Sequence, residues 1–306
     1  MRVTSNMSAD NSIYNIQQGR AKLDRLQELT SSGNIVNRPS DDPINSGLLL
    51  DIGDKLRSGD QYLSNIQKST TWQQFTNTAL TGMSEVMRLA KQQIATISSG
   101  SSDPVERQNA VSQLQALKQQ MVDMGNMQLG DQYLFGGAIN STQPFSGTAP
   151  YYTGDETALK VEIGNNTTQQ MNIAGNQVLT GSTSLVAPPD PLPYGSTNIL
   201  KAFDDLLTAV NTNDVPGILA GSQALEAGAK QLNNAQSDVA ARLTRLDTMT
   251  KLNVNTRNTL ETIYGNTQNV DYAKLAVQLN QQKIAFEASL SSTAKLSQLS
   301  LLDYMR

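Results

Sequence analysis

The sequence predicts a mainly α-helical protein with a β-rich insertion, built from nested segments. Apolar residues recur at helical spacing at both ends of the chain and in two long stretches further in. Between those stretches lies a segment rich in Gly, Pro, Asn, Ser and Thr, with one clear alternation of apolar and polar residues. We therefore expect paired, coiled-coil terminal helices (1–36 and 267–306), a long antiparallel helical rod (37–137 and 196–266) and a small inserted β-rich domain (138–195).

The two ends of the chain each carry an apolar stripe. No Gly or Pro interrupts residues 269–306, where the stripe consists of Tyr272, Leu275, Leu279, Phe286 and Leu290. A helix expected over residues 6–31 ends before Gly33, a residue typical of helix C-caps, and its stripe consists of Ile13, Ile16, Leu23, Leu26 and Leu29. A lone helix cannot bury such a stripe. We therefore expect the two helices to pair with each other and with copies of the chain.

A short connector separates the first helix from the rod, and it consists of Arg38, Pro39, Ser40, Asp41, Asp42 and Pro43. Asp42 can cap a new helix whose first residue is Pro43, because proline lacks the N–H that would be unsatisfied there. Both carboxylates lie at the positive end of that helix's dipole. Capping accounts for the acidic pair, so we expect no metal and no acid–base chemistry here.

The rod begins with one long helix, expected from Pro43 to about residue 98. Trp72 and Phe75 fall within its apolar pattern and are expected in the core. Its four glycines weaken an isolated helix, so we expect them to allow close helix contact; they are Gly47, Gly53, Gly59 and Gly82. A second helix should begin at Asp103-Pro104, a cap followed by proline, and end at Gly125.

The insertion should contain a β-hairpin. Leu159, Val161 and Ile163 alternate with charged residues, Gly164-Asn165-Asn166 can form a turn, and residues 170–173 can form the second strand. The sequence does not decide whether Tyr151 and Tyr152 lie in the core of this domain or are exposed. Prolines at 188–193 mark the exit.

Two further helices complete the rod, one resuming at Asn198 and a longer one opening at Asp214 and closing before Gly265.

Composition excludes several classes of function. The chain has 23 basic and 27 acidic residues, a net charge of -4, and no basic cluster with interleaved aromatics, so nucleic acid is not an expected partner. It has no Cys and no His, which removes disulfides and most metal ligands and nucleophile–base pairs. No stretch is apolar enough to span a membrane, and the N-terminus does not resemble a general secretory signal. We expect no cofactor, no metal and no catalysis.

Several motifs in collinear order resemble the bacterial flagellins and their hook-associated relatives. They are the connector with Ser31-Ser32-Gly33, the run Gly130-Asp131-Gln132-Tyr133-Leu134-Phe135-Gly136-Gly137, Thr142-Gln143-Pro144-Phe145, Val239-Ala240-Ala241-Arg242-Leu243, Asp271-Tyr272 and the ending Leu299-Ser300-Leu301-Leu302-Asp303-Tyr304. The start Met1-Arg2-Val3-Thr4, the connector and the short insertion favour a hook–filament junction subunit over a filament subunit.

This resemblance implies a structural role. The protein would be exported through the flagellar type III channel and act outside the cell. Its partners would be other copies of itself, the first hook-associated protein on the hook side, flagellin on the filament side and a cytoplasmic export chaperone. The residues expected to bind first the chaperone and then neighbouring subunits are Ile13, Ile16, Leu23, Leu26, Leu275, Leu279, Phe286 and Leu290.

Three alternatives stay open, one within the same family and two in other classes. The nearest is flagellin itself. An enzyme would have to rely on carboxylate, Lys, Tyr or Ser chemistry, and the adjacent acidic pairs Asp41/Asp42 and Asp204/Asp205 would be its candidates. A secreted adhesin or effector would use the insertion to bind a target and the helices as a stalk.

Overall fold

The computed structural model describes the backbone of residues 5–98, 103–181 and 194–304, and the side chains of these residues except 5–9, 98 and 296–304. The motif at Met1 to Thr4, the prolines at 188–193 and the side chains of the C-terminal motif at 299–304 lie outside the described residues.

Within these ranges the chain forms six α-helices and two small antiparallel β-hairpins. The helices are α1 (Ser5–Ser32), α2 (Pro43–Ser98), α3 (Pro104–Gly125), α4 (Ile199–Thr212), α5 (Val215–Gln268) and α6 (Tyr272–Tyr304). The strands are β1 (Gln128–Leu129), β2 (Gln132–Tyr133), β3 (Lys160–Gly164) and β4 (Thr167–Gln170), paired β1 with β2 and β3 with β4. A π-helical turn spans Asn176–Thr180. The predicted fold class, mainly α with a small β insertion, is confirmed.

The helix starts follow local sequence signals, as predicted. The Asp42 carboxylate accepts a hydrogen bond from the Asn45 N–H (3.0 Å), and α2 begins at Pro43. The Asp103 carboxylate accepts one from the Val105 N–H (2.9 Å), and α3 begins at Pro104. Helix α1 ends at Ser32, and Gly33 follows with a positive φ of 72°. These caps satisfy N–H and C=O groups that a helix end leaves unpaired.

Two predicted boundaries are wrong by a few residues, namely the end of α5 and the position of β4. Helix α5 continues through Gly265 to Gln268, because an interior glycine weakens a helix by only about 1 kcal/mol. Helix α6 begins at Tyr272, because the Asp271 carboxylate caps it by accepting from the Ala273 N–H (3.0 Å). Strand β4 covers Thr167–Gln170 because a two-residue turn closes the hairpin early, with Asn166 at a positive φ of 52°.

The chain divides into two compact units. Residues 1–58 and 256–306 form the terminal unit, and residues 59–255 form the central unit. The three-part division expected from the sequence stays a prediction. None of the helices that the structure describes is apolar over a length that would cross a bilayer.

The core of the central unit lies among its helices. Its largest fully buried residues from the helices are Leu80, Met83, Met87, Leu114, Met121 and Phe203. Gly228 of α5 lets three helices approach, since a β-carbon there would lie 2.7 Å from Ile199 Cγ1 and 3.2 Å from Met87 Cε.

One of the two aromatic residues that we predicted in the core of α2 is exposed. Trp72 is buried, as predicted, but Phe75 is 40% exposed. The buried face of α2 passes through positions 69, 72, 73 and 76, and residue 75 lies off that face.

Most of the described part of the insertion, residues 138–181, is irregular backbone held by side chains. Tyr151 and Tyr152, which the sequence left open, are both half-buried. The Tyr152 ring packs on Phe145 with centroids 5.1 Å apart, and its Oη hydrogen-bonds Phe135 O (2.9 Å). Burial raises the pKa of Tyr152 well above its usual range. This part of the insertion therefore has a packed interior of its own.

Candidate assembly surface at the terminal helices

Helices α1 and α6 pack side by side in the terminal unit. The Gln282 side-chain amide donates to Gly19 O (3.1 Å), and a β-carbon on Gly19 would lie 3.3 Å from Phe286 Cδ2. The absence of a side chain at Gly19 thus lets the Phe286 ring lie close to the backbone of α1.

The eight residues expected on the assembly surface differ in exposure. Leu275 is buried, and Ile13 and Leu290 are 52% and 45% exposed. The other five are half-buried, namely Ile16, Leu23, Leu26, Leu279 and Phe286. Pairing of the two helices therefore covers only part of each stripe. The remainder is available to another molecule.

Three more apolar residues on these helices are exposed, and the sequence reasoning did not single them out. Tyr14 on α1 is 60% exposed, and Val277 and Ile284 on α6 are 57% and 59% exposed. Val277 and Ile284 are seven residues apart, so a second heptad pattern was present beside the main stripe. The terminal helices thus present more apolar surface than one stripe.

A shallow groove of about 640 Å³ runs between the two helices. Apart from one leucine, small and polar residues line it. They are Ala21, Lys22, Arg25 and Leu26 from α1, and Gln278, Gln281, Gln282 and Ala285 from α6. Long amide and cationic side chains can donate hydrogen bonds here while their stems cover apolar surface.

A short backbone clasp, made of residues 33–35 and 268–270, joins the two chain segments at the base of this helix pair. The Ile35 N–H donates to Gln268 O (2.7 Å) and the Val270 N–H donates to Gly33 O (3.0 Å), around an antiparallel bridge between Asn34 and Asn269. The clasp ties the end of α1 to the start of α6 without a disulfide.

The connector after the clasp is held by the Asp41 carboxylate. Its Oδ2 accepts from the N–H groups of Arg38 (2.9 Å) and Asn37 (3.2 Å), and lies 2.8 Å from Arg25 Nη2. The hydrogen bond from the Arg38 N–H, helped by the Arg25 guanidinium, lowers the pKa of Asp41. Asp42 caps α2, and the hydrogen bond from the Asn45 N–H lowers its pKa as well.

Helix α1 supplies the partner charges of the connector. Arg25 Nη1 pairs with Glu28 (2.9 Å), and Glu28 lies 3.4 Å from Arg38 Nη2. The hydrogen bond from Arg25 to Glu28 raises the pKa of Arg25. Sequence reasoning found the connector but not Arg25 and Glu28, because nothing in their spacing links them to a turn so far along the chain. Pro39, Ser40 and Pro43 are exposed.

The acidic pairs that an enzyme would have needed are used in structural contacts. Besides the connector, Asp204 accepts from Lys118 Nζ (2.5 Å) and Tyr151 Oη (2.7 Å), and Asp205 accepts from Lys201 Nζ (2.6 Å). The hydrogen bond to Asp204 raises the pKa of Tyr151 to about 12. Among the described residues, no group of three or more acidic side chains could hold a metal ion.

The sequence is similar to known flagellar proteins. Residues 3–139 match the bacterial flagellin N-terminal helical region. The chain is 22% identical to flagellar hook-associated protein 3 of Salmonella typhimurium over 317 aligned positions that cover all of both proteins. It is 24% identical to flagellar hook-associated protein 3 of Escherichia coli over 69% of this chain and 67% of that protein.

Solved structures share the fold. A flagellar hook-associated protein from Vibrio parahaemolyticus superposes with a TM-score of 0.64 at 20% identity, covering 75% of this chain and all of that one. Flagellar hook-associated protein 3 from Legionella pneumophila superposes with a TM-score of 0.59 at 15% identity, covering 69% of this chain and 96% of that one. From end to end, the sequence of this chain resembles flagellar hook-associated protein 3, and the chain shares its fold with solved hook-associated proteins.

Proposed function

We propose that this chain is a structural subunit of the bacterial flagellum that forms the junction between hook and filament and on which flagellin assembles. One observation carries the proposal: the similarity to flagellar hook-associated protein 3 of Salmonella typhimurium runs through both terminal helices and the insertion, with full coverage of both proteins. A protein that shared only the helical region with flagellins would not match over its whole length. The role is mechanical and needs neither catalysis nor a cofactor.

The paired helices α1 and α6 of the terminal unit are the part that assembles with other copies. Helices α1 and α6 leave Ile13, Tyr14, Val277, Ile284 and Leu290 exposed, a large apolar surface for two helices already paired. A contact between different faces of identical subunits continues from copy to copy and closes into a ring or grows into a filament. The paired terminal helices would thus line an inner tube.

The helical rod and the insertion then lie outside this tube. In the assembled ring we expect residues 37–137 and 196–266 to supply an outer helical layer, with the insertion (138–195) on its outside. The connector from Arg38 to Pro43, fixed by Arg25 through Asp41, sets the course of the chain between α1 and the start of α2. One end of the ring contacts the first hook-associated protein, and the other accepts flagellin.

Before assembly, the exposed apolar residues of α6 need a partner that covers them. The protein would travel unfolded through the flagellar type III channel to the outside of the cell. A cytoplasmic chaperone would first cover the stripe of Leu275, Leu279, Phe286 and Leu290 on α6, because an amphipathic helix with an uncovered apolar face aggregates. The same residues would later pack between subunits.

Electron microscopy of isolated hooks that carry the first hook-associated protein tests the proposal. We expect the purified chain to add a thin layer at the hook end that does not lengthen by itself and that permits filament growth once flagellin is added. Long filaments from this chain alone would make it a flagellin. Binding of the isolated insertion to a glycan or receptor, with no binding to hooks, would make it a stalked adhesin.

A further inference from the structure

Helix α2 buries a polar face, and Gln73 on that face contacts the end of the β3–β4 hairpin and the residue that follows it. Ser69, Trp72, Gln73 and Thr76 follow one another at the three- and four-residue spacing of a single helix face, and each is at least 97% buried. The Thr76 hydroxyl donates to Trp72 O (2.9 Å) within the helix. The other three side chains carry polar atoms that face away from water.

Four buried polar atoms, three on this face of α2 and one on strand β4, have no hydrogen-bond partner among the described residues. They are Ser69 Oγ, Trp72 Nε1, Gln73 Oε1 on α2 and Gln169 Oε1 on β4. Gln169 is 95% buried. A buried polar atom without a partner is costly, and native proteins keep very few. Three of these atoms belong to one face of α2, and the fourth belongs to Gln169, which shares the acceptor Gln170 O with Gln73. We therefore consider the four together, as a polar seam between α2 and the hairpin.

The two glutamine side chains meet at one carbonyl. Gln73 Nε2 and Gln169 Nε2 each lie 3.3 Å from Gln170 O, and Gln73 Nε2 also donates to Met171 O (2.9 Å). These contacts fix the nitrogen side of both amides, so exchanging nitrogen and oxygen would place an acceptor against an acceptor. Both amide oxygens therefore lie in the seam as unpaired acceptors.

The chemistry of the four atoms is complementary to water. The indole N–H only donates, the two amide oxygens only accept, and the hydroxyl does both. A water molecule offers two donors and two acceptor positions, and buried waters occupy sites with two to four polar partners. None of the four atoms is charged. The Arg242 guanidinium also reaches Gln170 O (3.4 Å), but Asp238 already balances its charge (2.7 Å), so the four neutral atoms fit water rather than an ion.

We propose that the seam between α2 and the β3–β4 hairpin is an internal hydration site. It holds at least one ordered water that accepts from Trp72 Nε1 and donates to the amide oxygen of Gln73 or Gln169. The other contacts between the helices and this hairpin segment are polar as well. Asn65 Nδ2 donates to Glu162 O (2.9 Å) and Arg242 Nη1 donates to Asn172 O (3.0 Å), so helix side chains bind the hairpin through its backbone carbonyls.

The hydration site does not depend on the flagellar role, and Trp72 makes it testable. Trp72 is the only tryptophan, so its indole N–H gives one resolved signal in the ¹⁵N spectrum of the full-length chain. We expect a cross peak between this proton and water, with the opposite signs in NOESY and ROESY spectra that mark a long-lived water rather than exchange. Absence of the cross peak would overturn the proposal.

Three variants identify the source of the signal. Ser69→Ala removes the one hydroxyl at the seam, and the cross peak should persist; its loss would assign the signal to that hydroxyl and overturn the proposal. Gln73→Met and Gln169→Met each remove an acceptor, and at least one should abolish or weaken the cross peak. Gln74→Met is the control, because Gln74 is the exposed neighbour of Gln73. If neither buried substitution differs from this control, the proposed acceptors are wrong.

Discussion

The phenolic oxygen of Tyr272 lies 2.5 Å from the point that a β-carbon on Gly33 would occupy. Gly33 ends α1 with a φ of 72°, and Tyr272 is the first residue of α6, so the start of the last helix lies against the end of the first. The backbone clasp of Ile35 with Gln268 and of Val270 with Gly33 surrounds this contact.

Gly33→Ala is expected to weaken the clasp by about 1–2 kcal/mol, because a residue with a β-carbon is strained at positive φ. Hydrogen exchange of the Ile35 and Val270 amides should become roughly tenfold faster. Tyr272 is 58% exposed and can move, so Tyr272→Phe alone should be nearly neutral and should not rescue Gly33→Ala. Recovery in the double variant would mean that the clash, rather than the backbone strain, dominates.

The connector should loosen in acid through Asp41. Its pKa in the folded protein lies below the ordinary value of 3.8, so its contribution to stability is present above that value and is lost as pH falls through the folded pKa. NMR titration of the Arg38 and Asn37 amides should give a midpoint below 3.8. Asp41→Asn should abolish this transition and destabilise the connector at neutral pH, whereas Asp24→Asn, on the exposed face of α1, should do neither. A midpoint at or above 3.8 would contradict the assignment.

Leu279→Asp is expected to abolish both chaperone binding and addition to hook ends, because a carboxylate in a half-buried apolar stripe is costly to desolvate when a partner covers it. Asn280→Asp introduces the same charge at the next, exposed position and should assemble normally. Circular dichroism should show that both variants keep their helices. A Leu279→Asp variant that binds chaperone and assembles like the parent would show that this stripe is not the contact surface.

In the central unit, replacing a core phenylalanine by alanine should cost much more stability than replacing a surface phenylalanine. Phe203 is fully buried and Phe75 is 40% exposed. Phe203→Ala should lower the free energy of unfolding by about 3–5 kcal/mol, because it leaves a cavity. Phe75→Ala should cost roughly 1 kcal/mol or less in the same urea titration. Equal effects would mean that Phe75 has a packing partner in solution.

Replacing either of two helical glycines by alanine should change the stability of the protein, in opposite directions for the two positions. A β-carbon on Gly47 meets no described atom within 4 Å, so Gly47→Ala should stabilise α2 by about 1 kcal/mol through helix propensity. On Gly125 it would lie 2.7 Å from Phe145 Cδ2, so Gly125→Ala should destabilise by about 1–3 kcal/mol. Calorimetry of the two variants measures both. If Gly47→Ala is stable but fails to assemble, the glycine serves a contact between copies.

Local sequence signals predicted much of the fold. Asp42 and Asp103 were identified as caps because a capping carboxylate and its N–H partner lie within three residues, and Gly33 as a helix end because positive φ favours glycine. A local signal was also misleading at one position. Gly265 was read as a helix end, yet α5 passes through it, since long helices draw their stability from packing elsewhere.

The sequence by itself determined the helices, their caps, the position of the insertion and the family resemblance, because each depends on residues close together in the chain or on motifs in fixed order. Only the tertiary structure decided that Phe75 is exposed, that Arg25 binds Asp41 and that Tyr272 lies against Gly33. Those relationships join residues whose spacing carries no periodic signal, and they form only when packing brings separate helix faces and loops together.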